Sequence, residues 1–160
     1  METSEVPEYL TTSWLCTALM RIGTRLATHF DQHFAEAGIT QAQFRALLAV
    51  SAADTAGIAP SALAEMLLIE RATISVLTNR LVERDLLHRL PGVNRRTFNL
   101  ALTEDGARLL HQMIPAAVAL ADEILHNLPL TNLSEMQKSL MSIEMHLRGG
   151  TKLDAKGERK

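Results

Sequence analysis

A single cysteine, Cys16, rules out any fold stapled by internal disulfides and fits a reducing compartment. Apolar runs are short or interrupted, which excludes an ordinary transmembrane helix. The opening METSEVPEYL is acidic and lacks the cationic start and apolar centre of a signal peptide, so a cytoplasmic protein without membrane contact is expected. The formal net charge is −2, so the chain as a whole announces no affinity for nucleic acid, and any such affinity must come from local clustering. No nucleophile–base–orienter set and no phosphate-binding glycine loop occurs at recognisable spacing. Catalytic residues, a resident metal and a cofactor are therefore not expected, and no internal repeat is found. At 160 residues the chain has room for one cored domain and little more.

What the chain has in abundance is helical periodicity. From Glu8 to Glu36, Leu15, Leu19, Ile22, Leu26, Phe30 and Phe34 recur at steps of three and four, and Gly38 suits the end of that helix. It would be roughly 40 Å long, more than a small domain needs for its own core. Thr40 and Gln43 form a T-x-x-Q capping box, and Phe44, Leu47 and Leu48 give the next helix its inward side. A small-residue linker, SAADTAGIA, follows, and Pro60 then opens a short helix that turns Leu63, Met66 and Leu67 inward. After a tight LIE turn, Arg71 to Arg84 reads as a helix with Ile74, Leu77 and Leu81 on one side. Two short helices joined this way are a helix-turn-helix.

LLHRL, PGVN and TFNLAL come next, with Phe98, Leu100 and Leu102 alternating with Thr97, Asn99 and Ala101, the period of a half-buried strand. The helix-turn-helix therefore carries a hairpin wing, with Gly92 permitting the tight tip and Phe98, Leu100 and Leu102 anchoring the base. Thr103 caps a helix running to about His126, which Pro115 should kink. Leu133, Met136, Leu140, Ile143 and Leu147 define a last helix stopped by Gly149 and Gly150, and the charged tail 149–160 should be mobile. The predicted fold is mainly α, an α+β winged helix-turn-helix with about six helices. Helices at both ends have broad apolar faces and no sheet to cover. Packing against the same helices of a second copy, as a two-fold homodimer, covers them. A monomer whose ends fold back on each other leaves the long first helix unexplained. The chain thus divides into dimerisation helices, 8–38 and 104–148, and a winged helix, 40–103.

On the Arg71–Arg84 helix, the side away from the core carries Ala72, Ser75, Val76 and Asn79, flanked by Arg71, Thr73 and Arg80. Small and hydrogen-bonding side chains of this kind let a helix sit deep in a DNA major groove. Between Pro60 and Thr103 six arginines oppose four acidic residues, a local positive excess in an acidic chain, and all six cations are the type best shaped for phosphate and guanine.

SALAEMLLIERATISVLTNRLVERDLLHRLPGVNRRTFNLALTEDGARLL resembles the signature of MarR-type winged-helix transcriptional regulators, LAxxLxxSRATVSRLxDRLExxGLVxRxxxxxDRRxxxxxLTxxG. The likeness extends over nearly the whole chain and is most specific in RATIS, NRLVERDLL and NRRTFNLALTEDG. It implies a homodimeric regulator, a repressor more often than an activator, on a palindromic double-stranded DNA operator. The helix Arg71–Arg84 would enter the major groove, Arg96 the minor groove, and Arg95 would meet phosphate. The resemblance also implies a small aromatic or phenolic effector in a crevice beside the dimerisation helices, for which Trp14, His29, His33 and Arg45 are the candidate donors.

Four departures bear on that reading. Glu70 stands where a capping Ser or Asp is usual, and Val76 replaces a frequent arginine. Asp85 replaces the glycine after the helix and must take a left-handed turn. Asn94 replaces the wing aspartate and is left to hold Arg96 without an opposite charge. These changes leave open a second class of function, a winged-helix interaction module or antirepressor with weakened DNA binding. Cys16, in WLCTALM, is similar in setting to the reactive cysteine of peroxide-sensing relatives and leaves a redox sensor open. The tyrosines of those relatives correspond to Met20, Phe30 and Gln41, so a buried structural cysteine is expected instead. His29 and His33 have zinc spacing but no further ligands, and read as surface or pocket-edge histidines.

Overall fold

The computed structural model describes residues 8–94 and 96–148. The tail 149–160, its two stopping glycines and Arg95 lie outside the described residues. Helix α1 runs Glu8–Phe34 and continues as one 3-10 turn, Ala35–Ala37, which Gly38 closes at φ 68°. Helix α2, Gln41–Ser51, begins on the capping box foreseen from its sequence: Thr40 Oγ1 accepts from Gln43 N, and Gln43 Oε1 accepts from Thr40 N. Pro60 opens α3, Pro60–Leu67, and α4 follows at Arg71–Glu83. Strands β1, Leu87–Pro91, and β2, Phe98–Leu102, pair antiparallel with Leu87 opposite Leu102. Helix α5 is Glu104–Leu125, its Thr103 cap accepting from Gly106 N, and α6 is Leu130–Arg148.

The chain forms two compact units, residues 1–117 and 118–160. The first holds a continuous core. Phe34 and Phe44 meet at 5.0 Å between ring centres, and Leu47, Leu63, Ile74, Leu81, Leu87 and Leu100 are completely or almost completely buried with them. Burying one such aliphatic side chain is worth about 1.5–3 kcal/mol. The second unit holds the end of α5 and all of α6. Leu120 is buried there, but most of its large apolar side chains are exposed.

Several details differ from the sequence reading. Leu48 and Met66, expected inward, are 43% and 51% exposed. The small Ala46 and Ala64 take the buried positions instead and let the helices approach closely. The supposed linker is structural: Ile58 is buried and exchanges backbone hydrogen bonds with Leu100, adding a bridge to the hairpin. The LIE turn is made by Leu68 at φ 55°, a left-handed residue that periodicity gave no hint of. Asp85 takes the same conformation, as the departure from glycine required.

Candidate nucleic-acid interface

Helix α4 is anchored from below and bare above. Ile74, Leu77 and Leu81 are buried, while Ala72, Thr73, Ser75, Val76, Asn79 and Arg80 are exposed. Thr78 lies beneath with them, its hydroxyl donating to Ile74 O at 2.8 Å, so it is a core residue rather than a reader. Glu70 gives α4 no side-chain cap, in keeping with the sequence reading. Arg71 faces Glu65 of α3 at 3.8 Å, both exposed.

Two arginines that sequence reading had only counted as charges position this helix. Arg84, at its C-terminal end, donates to Gly38 O at 2.5 Å and Ala37 O at 3.3 Å, tying α4 to the end of α1. Those carbonyls close a helix, where a cation is favoured. Arg89 on β1 donates to Asn79 Oδ1 at 2.7 Å and lies 4.9 Å from the Phe98 ring centre. Phe98 is therefore not the buried anchor expected of it; it is 36% exposed, because it covers a guanidinium rather than the core. Leu100 alone of the three alternating residues is fully buried. The arginine of the GLVxR piece of the family pattern falls on Arg89 and was the available signal for it; nothing in the sequence marks Arg84.

The wing tip is a hydrogen-bonded turn. Gly92 N donates to Thr97 O, Thr97 N to Asn94 O, and Asn94 N to Thr97 Oγ1. A Cβ on Gly92 would stand 2.7 Å from the backbone C and O of Thr97, so the close crossing of the two arms requires glycine. Asn94 Oδ1 accepts from the backbone N–H of Arg96 at 2.9 Å. The expectation that Asn94 holds the Arg96 side chain is corrected: an amide oxygen two residues upstream reaches the main chain, and so sets the loop rather than the guanidinium. Arg96 itself is exposed.

Of the residues proposed for an effector, Arg45 lines a cavity of about 410 Å³ with Gly23, Leu26, Ala27 and Phe30 of α1 and Gln41 and Phe44 of α2. Trp14, His29 and His33 are exposed and do not line it; the two histidine rings are 6.5 Å apart. Cys16 is exposed in the single chain, correcting the expectation of a buried thiol: it lies on a stretch of α1 where Trp14, Leu15 and Met20 are exposed as well. Among the described residues no group of three His, Cys, Asp or Glu is placed to hold a metal ion, and no helix is long and apolar enough to cross a membrane.

The family model for the MarR family matches residues 37–96, the stretch from the end of α1 to the wing tip. Over that stretch the chain is similar to the MarR family. The fold beyond it is also that of MarR regulators. AbsC, a MarR family transcriptional regulator from Streptomyces coelicolor, superposes with a TM-score of 0.78 at 22% identity, covering 92% of this chain and 99% of its own. CouR from Rhodococcus jostii RHA1, solved bound to p-coumaroyl-CoA, gives 0.72 at 22% identity over 81% and 90% of the two chains. MepR from S. aureus, solved as a DNA complex, gives 0.75 at 20% identity over 82% and 96%. Comparison with curated proteins finds no match. In MarR terms α4 is the second helix of the helix-turn-helix and β1–β2 the wing.

Proposed function

We propose that this protein is a ligand-responsive transcriptional regulator, a repressor, that binds a palindromic operator as a homodimer. Helix α4 enters the major groove through Ala72, Thr73, Ser75, Val76 and Asn79, with Arg71 and Arg80 at the phosphates. The wing brings Arg96 into the minor groove and Arg95 to the backbone. The observation that carries this reading is the exposed, small and hydrogen-bonding face of α4 beside an arginine-tipped hairpin. Small side chains permit close approach to base edges, and arginine is favoured where a minor groove narrows. The DNA complex of MepR, which shares the fold, lends support.

Homodimerisation through 8–38 and 104–148 is supported by the apolar side chains left uncovered in one chain: Leu15, Leu19 and Ile22 of α1 and Leu140, Ile143 and Leu147 of α6. The effector is a small aromatic or phenolic anion. The cavity between α1 and α2 is walled by Phe30 and Phe44, and Arg45 supplies a cation at its edge. Arg45 also donates to Leu67 O of α3 at 3.4 Å, so a ligand that drew the guanidinium away would release a link inside the winged helix.

The test is a mobility-shift titration on the promoter fragment upstream of the coding region. Arg96→Ala is expected to lower affinity by about 1–3 kcal/mol, the scale of one good DNA contact. Unchanged affinity would remove Arg96 from the interface.

A further inference from the structure

We propose that Asn79 selects a hydrogen-bond acceptor in the major groove, guanine above all, because Arg89 holds its amide as a donor. This rests on the reading of α4 as the groove-entering helix. Asn79 is exposed on the outer face of α4, yet its side chain is not free: Oδ1 accepts from Arg89 Nη2 at 2.7 Å. A guanidinium carries only donors, so the amide can face it in one way, oxygen inward and Nδ2 turned away. Arg89 is itself fixed from a second side by the Phe98 ring, 4.9 Å from its guanidinium carbon. Among the described residues the Asn79 Nδ2 group has no hydrogen-bond partner.

An unconstrained asparagine prefers adenine, its oxygen accepting from N6 and its nitrogen donating to N7. That pair would need the second lone pair of the oxygen that Arg89 engages, so that a base amino group and a guanidinium would share one acceptor. Adenine would also bring its N6 amino group, and cytosine its N4 amino group, towards a fixed positive charge. Guanine presents two acceptors, O6 and N7, to the free Nδ2 donor and thymine one, O4, whereas adenine's single acceptor, N7, stands beside its N6 amino group. The order of preference at this base is therefore guanine, then thymine, with adenine and cytosine last. Arg89 is a positioning residue here: it touches Asn79 and Phe98, and acts on DNA through the amide it orients.

The experiment is selection of duplexes from a random pool by the full-length chain, as wild type, Asn79→Ala and Arg89→Met. Methionine keeps a flexible apolar stem against Phe98 and removes every donor. The wild-type motif should contain a guanine position that Asn79→Ala no longer distinguishes, with affinity for the wild-type sequence falling roughly tenfold. In Arg89→Met the same position should turn to adenine while the others persist. Replacing that guanine with 7-deazaguanine should weaken the wild type and leave Asn79→Ala unaffected. An Asn79-dependent position that reads adenine in the wild type overturns the assignment, as does a motif unchanged by Asn79→Ala or a guanine preference that survives in Arg89→Met. A wild type that enriches no duplex overturns the groove-entering role of α4 and this one with it. A retained motif without an Asn79-dependent guanine defeats only the assignment of Asn79.

Discussion

Leu63, Leu81 and Leu100 have no exposed surface, whereas Leu130, Met145 and Leu147, equally apolar, are 84%, 71% and 75% exposed. The first three belong to the continuous core of the winged helix; the second three belong to a unit that leaves most of its large apolar side chains exposed. A sequence in which both regions show helical periodicity does not distinguish them, because periodicity marks a face and not what covers it. The winged helix is thus complete in one chain. The terminal helices leave large apolar side chains uncovered, and these are the faces on which the proposed second copy would pack.

The contrast can be broken first at the core. Leu81→Ala removes a side chain with no exposed surface and is expected to cost about 2–5 kcal/mol in urea-induced unfolding. The paired substitution Leu140→Glu and Ile143→Glu places two carboxylates on the open face of α6, where each residue is 42% exposed. Sedimentation should then show monomers, with dimer affinity reduced about a hundredfold, equivalent to roughly 2.7 kcal/mol. Unchanged sedimentation would mean that α6 is not the covered face. The smallest effect is expected at the turn between α3 and α4. Leu68 is 60% exposed and left-handed, so Leu68→Gly relieves backbone strain and should raise the unfolding free energy by up to about 1 kcal/mol. A loss of stability there would show that the leucine side chain contributes more than the strain it causes.

What could be read from the sequence was local. The Thr40–Gln43 box, Pro60 at a helix start, the Thr103 cap and the left-handed Asp85 each depend on neighbours within a few residues. What could not be read depends on partners distant in the chain. Ile58 meets Leu100, Arg84 meets Gly38 and Arg89 meets Asn79, and no periodicity carries those pairings. The candidate site divides the same way. The outward face of α4 followed from spacing, but Asn79 as a held donor and Phe98 as a cover for Arg89 emerged only from geometry. Leu68 eluded both kinds of reasoning, since leucine is a residue for which a left-handed turn is not anticipated.

Binding to duplex DNA across a salt series tests the central claim, that α4 and the wing form a nucleic-acid interface on an acidic protein. Phosphate contacts by arginine release counterions, so affinity should fall steeply as salt rises, by about a thousandfold or more between ~50 and ~200 mM if six or more phosphates are met. Affinity that is absent at low salt, or flat across the series, would contradict it.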